Sequence, residues 1–412
     1  MSMFGTPGQT PTTGGTISNG QAALIAIGAV LAITIFVLPG PPVAEAGNDG
    51  YWSPMLATIP SVVQIAVFVW LGKRYDWQSP YQYLPKLLGR WLGGLVKLLY
   101  AFLFLFIAAS VSQEIAKVVG AISMPMTPPQ AFVILTVLAA AYVAWLGIEA
   151  FGRLAQLILP LLLGVLLFIP VSLIPQLDLG YLLPILYEGW LPPLRGALAP
   201  IAMRGEAALL LAFMLPHLRV PRKALRTGVL VTCVIALFLA LNAVTLISLL
   251  SPGEVARLSM PVLAAARLVR LTRGIEHIEF LILGPWTIAL VLKVGLFVYF
   301  ATVGVAAVAR SQWRPYVLPT AVLAGALGSW MYPNSQTLAY VIGEVWPAYS
   351  ITMILLLPLL LVAVSLVRGR PAKGDSDGSS GRDRAPGGRD TAKGGGRLRR
   401  RRPERNGQEA WS

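Results

Sequence analysis

Charged side chains are scarce in this 412-residue chain: 12% of its residues are Asp, Glu, Lys or Arg, about half the roughly 25% of an average soluble domain. Water cannot be its main solvent. Cysteine is nearly missing as well. Cys233 stands alone in an apolar run, so no internal disulfide can form, and it reads as a small buried hydrophobe. The only histidines, His217 and His277, have no Cys or carboxylate companions at ligand spacing, which argues against a metal site. H-E-x-x-H and Walker A sequences are missing, and G-x-S-x-G occurs only at Gly374-Asp375-Ser376-Asp377-Gly378, in the polar tail after the last apolar run. Hydrolytic or ATP-driven chemistry is therefore not expected, nor is a cofactor.

What the chain has in quantity is apolar sequence. Hydrophobic residues make up 56%, in repeated runs of about 20, the length that crosses the roughly 30 Å hydrocarbon core at 1.5 Å per residue. The expected fold is all-α and polytopic, with ten membrane spans. Those of the first half are placed at 21–43, 55–71, 92–112, 129–146 and 154–174. Those of the second are placed at 197–218, 227–250, 279–310, 316–331 and 347–367. The spans thus form one domain over 21–367 with halves at about 21–175 and 195–367. Between 81 and 97, apolar residues alternate with Lys86 and Arg90, a pattern suited to the membrane interface ahead of the third span.

The segment 1–20 is Gly/Thr/Pro-rich and uncharged, and is expected to be a disordered tail with no cleavable signal peptide. Residues 368–412 turn to Gly, Arg, Asp and Ser and carry +7 of the formal +15, again the composition of a disordered segment. Its Arg397-Leu398-Arg399-Arg400-Arg401-Arg402 run suits a topology-fixing tail, acidic lipid headgroups or, with less support, nonspecific contact with nucleic acid. Lys and Arg in the short loops favour both termini in the cytoplasm; Arg267, Arg270 and Arg273 are the exception to that bias.

Two hydrophobic segments, one opening each half, carry helix breakers. The first runs Ala29 to Pro42 with Pro39, Gly40, Pro41 and Pro42; the second runs Ala199 to Leu209 with Pro200, Gly205 and the charged Arg204 and Glu206. Breaks at matching places in two halves point to a ligand site at the midplane, because freed backbone groups persist in a membrane only where protein or a cavity satisfies them. Ala32-Ile33-Thr34-Ile35-Phe36-Val37-Leu38-Pro39 resembles the G-x-G-I-F-x-x-P signature in the first helix of amino acid/polyamine/organocation permeases. Met203-Arg204-Gly205-Glu206 resembles the G-F-E signature of their sixth. That resemblance implies a five-plus-five inverted repeat with broken first and sixth helices, whose unwound backbone binds an amino acid. Ala32 and Thr34 replace the usual glycines; the Thr34 hydroxyl can satisfy a local carbonyl or touch substrate.

Further motifs resemble a narrower group, the endospore germination permeases that form the B subunits of nutrient germinant receptors. They are Ala46-Gly47-Asn48-Asp49-Gly50-Tyr51-Trp52, Met124-Pro125-Met126-Thr127-Pro128, Pro216-His217-Leu218 and Pro221-Arg222-Lys223-Ala224. Pro261, Arg267, Glu276, Glu279, Trp286 and Lys293 continue the pattern toward the eighth span. The resemblance implies a nutrient sensor in the spore inner membrane, with a small amino-acid-like ligand and with an A subunit and a lipoprotein C subunit as partners. A proton-coupled permease of growing cells and a water or ion channel on the same fold remain the alternatives.

The ligand-site candidates are Ala32, Ile33, Thr34, Ile35, Met203, Arg204, Gly205, Glu206, Phe104 and Trp286. Glu206, a carboxylate in an apolar segment, costs about 2.5 to 3.5 kcal/mol at a helix centre unless it faces the interior. It reads as a ligand or gating group, or as a structural ion pair with Arg204 or Lys293. Lys293 reads as a fixed charge tethering the eighth helix or as a replacement for a coupling sodium. Asp49 and Glu114 are placed at the outer boundary, in a gate or on a solvated face. Tyr100 joins Phe104 and Trp286 as a possible pocket wall or as packing.

Overall fold

The computed structural model describes residues 15–258, 260–268 and 279–368. His277, Arg270, Arg273, Glu276 and the basic tail from residue 369 onward lie outside the described residues. In chain order the helices are α1 (Asn19–Val37), α2 (Gly40–Ala46), α3 (Trp52–Leu56), α4 (Thr58–Arg74), α5 (Pro80–Leu88) and α6 (Arg90–Ser123). Next come α7 (Pro129–Leu146), α8 (Ile148–Leu173), α9 (Leu191–Gly196), α10 (Leu198–Met214), α11 (Ala224–Leu250) and α12 (Pro252–Arg257). The last are α13 (Pro261–Leu268), α14 (Glu279–Ala309), α15 (Val317–Met331), α16 (Ser335–Tyr340), α17 (Trp346–Ser350) and α18 (Leu357–Arg368). Among the described residues no β-strand forms, only one isolated bridge between Ile17 and Leu218.

Nine stretches among the described residues are long and apolar enough to cross a membrane. The ninth expected span is the exception: α15 has 15 residues, about 22 Å at 1.5 Å per residue, so it is short of the hydrocarbon thickness. The last span is longer than expected. It begins near Gln336 and contains two π-helical stretches, Val341–Val345 and Ile351–Leu356.

Three elements form the interior. The most apolar stretches of α1 and α14 are each 72% buried and that of α9–α10 is 83% buried, whereas no other span exceeds 56%. A helix apolar on every side is one that neighbours enclose, and α1 packs against α8, α10, α11 and α14. Close approach rests on glycine. A Cβ on Gly328 of α15 would lie 2.5 Å from the Ala109 carbonyl oxygen of α6, so only glycine allows this contact.

Sequence rules explain the ends. Ser18 and Gln21 form a capping box at α1, and Ser79 and Gln82 another at α5, where Pro80 fills the first position. Gly89, with φ 84°, turns the chain out of α5 and into α6, so the stretch 81–97 is divided between two helices. The N-terminal tail is ordered earlier than expected. Ile17 N–H donates to the His217 carbonyl at 2.8 Å and Arg219 N–H donates to the Ile17 carbonyl at 3.0 Å, which fixes residues 15–18 to the end of α10. Cys233 is a second correction: it lies on an exposed face of α11, since an apolar run in a membrane has a lipid side as well as a protein side.

The first helix breaks at its expected prolines, whereas the second breaks elsewhere. Ala32 to Ile35 are helical, and the chain turns at Leu38–Pro39, because the proline lacks an N–H and its ring crowds the preceding turn. Met203 to Glu206 lie inside a continuous α10, and the interruption comes earlier, at Ala197. Pro200 is tolerated because it sits in the first turn, where N–H groups have no helical partner anyway.

Candidate functional site

Glu206 of α10 and Lys293 of α14 meet in the centre of the bundle, with Nζ donating to Oε2 at 2.7 Å and both side chains buried. Of the two partners open to Glu206, Lys293 is the one it takes. Arg204 points away, because residues two apart on a helix do not share a face. Its guanidinium donates to the Pro54 carbonyl at 2.6 Å, to Thr58 Oγ1 at 3.3 Å and to the Pro200 carbonyl at 3.3 Å. Arg204 therefore ties α10 to α3 and α4.

Glu206 faces a small cavity between α1, α6, α10 and the Val341–Trp346 stretch. Ile33 and Met203 line it, as do Ser110, Glu114 and Trp346. Lys293 borders a second small cavity, walled almost entirely by apolar residues of α1, α8 and α14. Each partner of the ion pair thus lines a cavity of its own.

Glu114 is the functional candidate that sequence reasoning misplaced. Its side chain is buried, and neither carboxylate oxygen has a hydrogen-bond partner. Its electrostatic neighbours are Lys293 and Glu206. Glu114 lies nine residues before the end of α6 at Ser123 and is enclosed by protein, so it does not stand on a solvated face. Two carboxylates thus share one ammonium. With all three ionised, the cluster carries one uncompensated negative charge in a medium where such a charge is costly.

The remaining candidates have structural partners. Trp286 Nε1 donates to the Ala32 carbonyl, and its ring meets Phe36 edge-on at 5.1 Å, locking α14 to α1. Thr34 donates to the Val30 carbonyl at 2.9 Å, so its hydroxyl satisfies the helix. Gly205 allows a close approach of α10 to Ser350, and Ile35 is buried in the core. Phe104 belongs to an aromatic cluster with Phe213, Phe297 and Phe300, at centroid distances of 4.9, 5.7 and 5.3 Å. Tyr100 packs edge-on against Phe213 at 5.4 Å. Neither ring lines the Glu206 cavity. Asp49 is distant from it too: both its oxygens accept from Leu186 N–H, at 3.0 and 2.9 Å, which pins the connection between the halves. Among the described residues no three His, Cys, Asp or Glu come together at metal-binding distance.

Comparison with known proteins places this geometry. A family model described as Spore germination protein matches residues 16–337. The chain belongs to this spore permease family. Relatives in the family include Spore germination protein YndE of Bacillus subtilis (strain 168), 23% identical over 362 residues, covering 87% of this chain and 98% of the relative. Spore germination protein A2 of the same organism is 22% identical over 353 residues, covering 85% and 95%. Among solved structures, MhsT in complex with L-phenylalanine superposes with a TM-score of 0.59 at 13% identity, covering 86% of this chain and 99% of that one. A Na+-coupled sialic acid symporter reaches 0.56 at 12% identity, covering 82% and 79%. At such identity the likeness shows the fold alone: this family member shares the polytopic helical fold of these two membrane proteins.

Proposed function

We propose that this protein is the membrane subunit of a nutrient germinant receptor and that it binds a small amino-acid-like nutrient in the Glu114–Glu206 cavity. The observation that carries the reading is Glu114, a buried carboxylate with no partner, aimed into a cavity whose other carboxylate is already neutralised by Lys293. A ligand ammonium gives Glu114 its counter-charge, and the apolar wall of Ile33, Met203 and Trp346 accommodates a small side chain. Ligand that binds one arrangement of α6, α10 and α14 better than another shifts the bundle toward it, and partner subunits read that shift. The expected partners are an A subunit and a lipoprotein C subunit in the spore inner membrane. Both termini lie in the cytoplasm in this reading, with the basic tail against acidic headgroups. No specific nucleic acid partner is expected.

The test is germination of spores carrying Glu114→Gln or Glu206→Gln, with protein level checked by immunoblot. Loss of one hydrogen bond to a charged group weakens binding about 10- to 100-fold. The expected result is a matching rise in the nutrient concentration needed, restricted to nutrients with a free amine. An unchanged response over a nutrient panel refutes the proposal. The cavity beside Lys293 favours a second reading, in which the same site passes its ligand across the membrane when the ion pair opens. Counterflow uptake in proteoliposomes without partner subunits supports that reading, and its absence removes it.

A further inference from the structure

At the end of the bundle that carries α5, three cations line one groove between α6 and α14. Arg90 and Lys97 come from α6, and Arg310 follows α14. The groove has about 1150 Å³ of open space, and none of its lining residues is acidic. Among the described residues none of the three cations makes an ion pair. Lys97 is 5% exposed, and the Arg310 guanidinium acts on it as a like charge. Trp91, beside Arg90 and 87% exposed, is the kind of ring that sits at headgroup level.

The groove does not end at the cations. Leu95 and Leu98 also line a second groove, with about 820 Å³ of open space, that runs deeper along the same helix pair. Its walls include Phe102 and Leu105 of α6, Val305 of α14 and Leu323 of α15, and it is almost wholly apolar. From Lys97 to Leu105 is about 12 Å along the axis at 1.5 Å per residue, toward the bilayer centre. Cations at the rim with an apolar slot below them match an anionic headgroup with acyl chains beneath it. A soluble phosphate matches the rim alone.

We infer that this α6–α14 groove is a binding site for one anionic phospholipid, with its phosphate held by Arg90, Lys97 and Arg310 and an acyl chain in the slot beside Phe102 and Leu105. The headgroup supplies the counter-charge that the protein leaves out, and basic pockets between membrane helices bind such headgroups on these terms. Arg310 offers a clean test. It sits at φ 54° just past α14, and Ser311 N–H donates to the Ala306 carbonyl at 3.1 Å, a helix-ending turn that glycine or asparagine makes at least as readily. Arg310→Gly therefore removes the charge without backbone cost.

The experiment is native mass spectrometry of the full chain released from detergent after titration with phosphatidylglycerol, phosphatidylcholine or glycerol phosphate. One phosphatidylglycerol retained in preference to phosphatidylcholine is expected, falling about five-fold in Arg310→Gly and again in Lys97→Gln. If Lys97→Gln fails to fold, Arg90→Gln on the exposed rim serves in its place. A chain with Arg399, Arg400, Arg401 and Arg402 all changed to Gln keeps the bound lipid. Equal retention of the two lipids, retention unaffected by the groove variants, or loss only in the tail variant overturns the inference. Retention of glycerol phosphate as strong as that of the lipid overturns it too, because the site is then one for soluble phosphate.

Discussion

Lys293 is the residue on which the centre of the molecule turns. Removing one member of a buried ion pair leaves the other charge uncompensated, which costs about 3 to 5 kcal/mol. Lys293→Met is therefore expected to lower the thermal unfolding temperature of the purified protein strongly. Adding Glu206→Leu to it should recover most of the loss, because an apolar pair of similar volume is often as stable as the ion pair it replaces. A double variant no better than the single one refutes the pairing as the source of the effect. Arg204 and Glu206 lie two positions apart, and both stand among the ligand-site candidates. The helix puts one against the Pro54 carbonyl of α3 and the other at the cavity.

Among the elements, the short α15 depends most on how closely it approaches its neighbour. Gly328 faces the Ala109 carbonyl oxygen with no space for a methyl group, whereas Gly164 of α8 has nothing within 4 Å of where a Cβ would stand. Gly328→Ala should destabilise by about 1 to 3 kcal/mol through overpacking. Gly164→Ala should be neutral or gain about 0.5 to 1 kcal/mol, the usual helix preference for alanine over glycine. Thermal unfolding of both variants in one detergent checks the contrast, and equal effects would mean that α15 shifts freely against α6. The π-helical stretches belong to this scale too. The Val341–Val345 stretch borders the Glu206 cavity, and such local widenings of a helix gather at functional sites.

For the whole molecule the question is how the two halves are held together. The connection between them is fastened at both ends. Asp178 N–H donates to the Ser248 carbonyl at 2.8 Å, and Asp49 accepts from Leu186 N–H with both oxygens. Asn48 adds a bond to the Pro184 carbonyl at 2.6 Å. Asp49→Ala should cost about 1.5 to 3 kcal/mol, the worth of a hydrogen bond to a charged group. Hydrogen exchange should show the Leu186 amide losing protection while the interior of α14 keeps its own. Protection of Leu186 that survives the substitution would show that other contacts hold the connection.

Hydropathy, length and a few motifs determined the class of this protein, the places of nearly all its spans and the need of Glu206 and Lys293, charges in apolar runs, for a partner. These follow from transfer free energy, which each segment carries with it wherever it packs. Tertiary structure alone decided that Glu206 pairs with Lys293, that Glu114 is a buried orphan, and that Phe104 and Asp49 stand away from the cavity. It also decided that Met203–Glu206 stays helical. A breaker residue marks where a helix can end at low cost, but whether it ends there depends on which neighbours satisfy the freed backbone groups and charges. Those neighbours are far away in sequence: Lys293 is 87 residues from Glu206, and Leu186 is 137 from Asp49. No local pattern records such a distance, and only the packed bundle brings the partners together.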